Sequence, residues 1–205
     1  MSQPKVFGIG LSKTGTTSLY VALDQLGFRA GTFGHMAKLG LDDWFGGDFT
    51  EDYLHEFEAM TDLPLAGFYR SLYLRYPESK FIYTIRNKSD WLKSCEKQFK
   101  NMPRKEFARK SNKLVYGTES FVVEKFSETY DRCLDEIPKF FYDKPSQYLL
   151  MDFFSGDGWE KLCTFLQKDI PAAPFPNVKP GFRVEKDPLS SKFTVKNLVK
   201  KLFRK

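Results

Sequence analysis

The chain has 205 residues, room for one full α/β core and too few for two ordinary domains. Hydrophobic residues at 41% and charged residues at 28% describe a globular protein, and an aromatic share of 17%, with 21 Phe, leaves rings over for lining a cleft. A net charge of +6 favours anionic partners, but neither a zinc-finger spacing nor an RNA-recognition aromatic motif accompanies it, so nucleic acid is not expected.

The first element is the apolar run Val6 to Leu11, which reads as a buried strand. A loop of Gly, Ser, Lys and Thr follows, and Leu19, Leu23 and Leu26 then recur at helical spacing, predicting a helix over 17–27 closed by Gly27. Strand, loop and helix in this order make a phosphate cradle, because backbone N–H groups and the positive helix end converge on one point. Gly10 and Gly15 are spaced as in a nucleotide-kinase P-loop, where a lysine should follow the second glycine. Thr16 and Thr17 stand there instead, and the lysine is Lys13, inside the loop.

Residues 29–53 are rich in Gly and aromatics, a composition of substrate-contacting loops, with one short helix expected at 36–45 and His35 as a candidate substrate contact. A short strand then ends at Asp62, before Pro64 and a helical run from Leu65. Asp62 reads two ways, as the cap of that helix or as a base. The next strand runs from Lys80 to Arg86, with Ser89 as the expected cap of a helix that carries Ser94 in its second turn. A guanidinium at a strand end and a hydroxyl from the following helix grip a phosphate with two different donors.

Residues 95–117 are basic, and 118–143 carry apolar residues at helical spacing, a long core helix. Gln147 to Asp152 reads as a last strand, and Asp157 with Glu160 as the capping box of a last helix. A proline-rich stretch follows from Pro171, and the tail over 186–205 alternates apolar and basic residues, a peripheral helix that docks on the domain or touches an acidic membrane. The lack of any apolar run of ~18 residues predicts no transmembrane span. Three scattered cysteines, Cys95, Cys133 and Cys163, fit reduced thiols in a cytoplasmic protein better than disulfides or a metal site.

Three of these stretches together resemble the sulfotransferases that use 3′-phosphoadenosine 5′-phosphosulfate (PAPS). Lys13-Thr14-Gly15-Thr16-Thr17 is similar to their 5′-phosphosulfate loop, with Ser12 in place of the usual proline. Thr61-Asp62-Leu63-Pro64 resembles their Thr-His-Leu-Pro, with Asp62 standing where the histidine base stands. Arg86 and Ser94 have the interval of their 3′-phosphate pair.

The resemblance, over 6–180, implies one α/β domain spanning 1–205 with a parallel sheet of about five strands flanked by helices, of the P-loop NTPase-like kind. It implies PAPS as co-substrate without a metal, Lys13 and Asp62 as catalytic residues, and Ser12, Lys13, Thr14, Gly15, Thr16, Thr17, Ser18, Arg86 and Ser94 as the PAPS-binding set. The acceptor would be a small molecule, lipid or carbohydrate offering a hydroxyl or amine. Two departures are visible: Ser18 replaces a tryptophan that often stacks on adenine, and the late Arg-Lys-Gly loop is absent, leaving Lys179 and Arg183 as its substitutes. The other readings are a P-loop kinase of a nucleotide or small metabolite and a non-catalytic nucleotide-binding protein.

Overall fold

A computed structural model of the chain describes residues 4–37, 56–100 and 105–178. Five strands form its sheet: Val6–Gly8 (β1), Ala30–Gly31 (β2), Ala59–Thr61 (β3), Lys80–Thr84 (β4) and Tyr148–Met151 (β5). Their order is β2-β3-β1-β4-β5, and every neighbouring pair is parallel. Gly8 pairs with Thr61 on one side and Ile82 on the other. Because the strands run the same way, the residues just past β3, β1 and β4 emerge side by side on one rim of the sheet, the rim where open α/β sheets hold ligands.

The helices are Thr16–Gln25 (α1), Phe33–Met36 (α2), Leu65–Arg75 (α3), Lys88–Phe99 (α4), Glu106–Tyr116 (α5), Val123–Phe140 (α6) and Trp159–Leu166 (α7). The two-residue period of the strands sorts their side chains between two cores. Phe7, Phe81 and Tyr83 face one cluster, with residues of α3, α4, α5 and α6. Val6 and Ile82 face the other, with Leu19 and Leu23 of α1 and Leu162 of α7. Helices on both faces explain why β1 and β4 are almost wholly apolar rather than alternating. No described helix is long and apolar enough to cross a membrane.

Several boundaries differ from the sequence reading. The cap of α4 is Asn87, whose side chain accepts from Ser89 N and Asp90 N, so Ser89 already lies inside the first turn. The long helix is α6, shorter than 118–143, and Phe121 packs on it from outside. The capping box at Asp157 does not form: Gly158 is the N-cap of α7, and Asp157 Oδ2 instead accepts from Asp152 N at 2.7 Å and from Lys161 Nζ at 2.7 Å. The helix expected at 36–45 lies outside the described residues from 38 onward; the described helix nearest to it, α2, ends at Met36. Lys179, Arg183 and the tail 186–205 also lie outside them.

Asp24, on α1, is half-buried, and burial pushes its carboxyl pKa up to about 6. Well below pH 4, folded and unfolded chains both carry the proton and the group is neutral to stability. The unfolded chain ionises first, near the ordinary value of 3.8, so stability falls as pH rises from there to about 6 and stays at the lower level above it. Asp24→Asn is therefore expected to stabilise the protein at pH 8 by on the order of 2 kcal/mol and to leave it nearly unchanged at about pH 3, as read by urea denaturation at both pH values.

Candidate functional site

The loop after β1 stays in register with β4 for one more residue, as Ile9 N donates to Ile82 O at 2.9 Å. It then turns back on itself. Thr14 Oγ1 donates to Leu11 O at 2.6 Å and lies 2.7 Å from Thr84 Oγ1. A hydroxyl has one proton, and that of Thr14 is taken by Leu11, so Thr84 is the donor in the second contact. The chain Thr84 to Thr14 to Leu11 thus ties the loop to the end of β4.

Gly10 is compulsory in this knot, because a Cβ there would sit 1.9 Å from Thr84 Oγ1 and 2.8 Å from Thr14 Oγ1. Lys13 and Gly15 both have left-handed backbone, φ 73° and 96°. Gly15 is the N-cap of α1 and offers no side chain to the first-turn N–H groups, which leaves these donors to a ligand. Thr16 is buried at the start of that turn, and Thr17 is half-buried beside it.

Asp62 follows β3, also in left-handed backbone at φ 82°. Its Oδ1 accepts from Leu63 N at 2.9 Å and from Ser12 Oγ at 3.1 Å, so Ser12 links the β1 loop to the end of β3. Asp62 does not cap α3 with its side chain: Pro64 holds the N-cap position there, without a side-chain bond. Burial raises the Asp62 pKa above the usual carboxylate range, and the Leu63 N–H, the Ser12 hydroxyl, the Lys13 charge and the Thr16 hydroxyl pull it part of the way back.

Arg86 lies just past β4, half-buried. Its guanidinium sits 4.3 Å from the centroid of Phe154, and its Nε is buried without a hydrogen-bond partner among the described residues. Ser94 is half-buried in α4. The next residue, Cys95, has its thiol pKa pushed up by burial, while Lys13 and Arg86 both act to lower it. Both cations therefore lie near the same stretch of α4.

Two other candidates have structural partners. Ser18 is buried, and its Oγ accepts from Val178 N at 3.2 Å, fastening the proline-rich segment onto α1. His35 is buried at the start of α2, where its Nδ1 accepts from Thr32 N at 3.0 Å and its ring lies 5.5 Å from that of Phe57. Residues not foreseen as part of the site also support it. Trp91 Nε1 donates to Ser12 O at 2.8 Å, Tyr130 OH donates to Arg86 O at 2.5 Å, and Phe153 packs against Gly15, where a Cβ would be 2.6 Å from its ring. The described residues hold no group of three or more His, Cys, Asp or Glu placed for a metal ion.

A family model described as a sulfotransferase domain matches residues 5–181. Ava biosynthesis cluster protein M of Aspergillus versicolor is 26% identical over 216 aligned positions, covering 85% of this chain and 80% of that protein. The crystal structure of a sulfotransferase from Alicyclobacillus acidocaldarius superposes with a TM-score of 0.53 at 19% identity, over 92% of this chain and 89% of that one, a likeness of fold.

Gly10→Ala is expected to cost about 1–3 kcal/mol in urea denaturation, since the added methyl must displace Thr84 or Thr14. Gly34→Ala, with nothing within 4 Å of the new Cβ, is the control and should stay within about 0.5 kcal/mol.

Proposed function

This chain belongs to the sulfotransferase family, and we propose that it moves the sulfuryl group of PAPS onto a hydroxyl or amine of an acceptor. The observation that carries this reading is the placement of β1 between β3 and β4, with Lys13, Asp62 and Arg86 past their three ends on one rim. The donor supplies a phosphosulfate anhydride, and its two anionic ends need two cationic corners. The Gly15-capped turn with Lys13 is suited to the 5′ end. Arg86, with a buried Nε that lacks a protein partner among the described residues, is suited with Ser94 to the 3′-phosphate.

In this reading Asp62 takes the acceptor's proton as the acceptor oxygen or nitrogen bonds to sulfur and the bond from sulfur to the leaving phosphate oxygen breaks. Lys13 and the first-turn N–H groups of α1 stabilise the charge that gathers on that phosphate. No covalent enzyme intermediate is required; the residues act by position and field. A raised Asp62 pKa suits a base, because a carboxyl of ordinary acidity is too weak for an aliphatic hydroxyl. A kinase would carry its lysine directly after Gly15, where Thr16 stands.

Calorimetry with the desulfated product, 3′-phosphoadenosine 5′-phosphate, tests the donor. The wild type should bind it, Lys13→Ala and Arg86→Ala should each bind at least tenfold more weakly, and a wild type that does not bind removes the assignment. Sulfate uptake by panels of phenols, sugars, lipids and amines then identifies the acceptor. Asp62→Asn should lower kcat about 100-fold or more. The wild-type rate should fall as pH drops through a value above the ordinary carboxylate range, because protonated Asp62 cannot accept a proton. The folded state also loses stability when Asp62 ionises on raising pH, so Asp62→Asn should melt no lower than wild type at pH 8.

A further inference from the structure

Behind the rim, α4, α5 and α6 pack Trp91, Phe99, Tyr116, Phe126 and Tyr130 into one cluster of rings. Trp91 and Tyr130 touch directly, with ring centroids 5.0 Å apart and planes tilted by 43°. Both are buried, at 0% and 6% exposure. Packing alone needs only their rings, and two phenylalanines would fill much of the same space. Their buried donors need acceptors, and each finds a backbone carbonyl at the site: Trp91 Nε1 on Ser12, next to Lys13, and Tyr130 OH on Arg86 itself.

These contacts join residues 79 and 44 positions apart, through one rigid ring pair. A carbonyl held at each end of that pair leaves the Lys13 turn and Arg86 little freedom to drift apart. We propose that Trp91 and Tyr130 form a strut of two positioning residues that fixes the separation of the two anion-binding corners. Neither touches the ligand. The strut rests on the reading above only for the ligand's identity; the mechanical link exists without a nucleotide.

Two measurements test it. In the ligand-free protein, exchange of the Trp91 indole proton, assigned among the three tryptophans with Trp91→Phe, should speed up about fivefold in Tyr130→Phe, the loss of one ordinary hydrogen bond. In calorimetry, Trp91→Phe and Tyr130→Phe should each weaken 3′-phosphoadenosine 5′-phosphate about fivefold. Adenosine 5′-monophosphate, which engages one corner only, should stay within about twofold, and the double variant should lose less than the product of the two single losses. Tyr130→Phe removes only a hydroxyl and keeps the test open if Trp91→Phe fails to fold.

An unchanged indole exchange rate overturns the strut, as does equal weakening of both nucleotides or a fully multiplicative double variant. If the wild type binds neither nucleotide while indole exchange still rises in Tyr130→Phe, the donor assignment fails and the strut stands.

Discussion

The parallel pairing of β1 with β3 on one side and β4 on the other is the constraint on which the rest depends. Three strands running the same way in register bring their ends to one rim, so residues far apart in sequence meet without any long side chain having to reach. Ser12 can then bond Asp62 across the β1–β3 boundary, and Thr84 can bond Thr14 across the β1–β4 boundary. A slip of one residue in either pairing would turn the slipped strand's side chains to the opposite face and break the link across that boundary.

The opposite rim shows what the sheet needs when no chemistry is asked of it. Lys5 is buried there with its Nζ donating to Phe57 O at 2.7 Å, and Lys80 donates to Phe165 O. Each lysine donates to one backbone carbonyl, the first just before β3 and the second in α7, and desolvation lowers both of their pKa values. On the site rim the cations of Lys13 and Arg86 instead project beside a loop and a strand end. The two ends of one sheet use the same kind of charge for different work.

Much of this arrangement was legible in the sequence because its signals are local. Gly10, Lys13 and Gly15 mark a turn by their own conformational needs, and the apolar runs at 6–11 and 80–85 announce buried strands by composition. The rim followed from these, since parallel strands can end nowhere else. What stayed hidden is what depends on long-range side-chain contact. Ser89 and Asn87 are both good caps, and only the backbone path decides that Asn87 is the one used. Asp157 shows a capping-box pattern but turns to Asp152 and Lys161. The roles of Trp91 and Tyr130 leave no mark in the sequence, because helical spacing does not tell which ring carries a donor to a distant carbonyl. The Asp62 cap reading was reasonable from Pro64 and fell to geometry, as the carboxylate turns toward Ser12 rather than the helix.

Lys13 and Asp62 share one unusual trait: neither is glycine, yet both sit where the backbone favours glycine, each at a cost of roughly 1–3 kcal/mol. The backbone torsion at each position sets the direction in which its Cα–Cβ bond leaves the main chain. The first bond of each side chain is therefore set before any ligand arrives, and for Asp62 the bonds from Leu63 N and Ser12 Oγ hold the carboxylate as well. The corresponding drawback is a ceiling on robustness: the hydrophobic layers on both faces must outweigh this tension, and relieving it with glycine at either position would remove the very group being aimed.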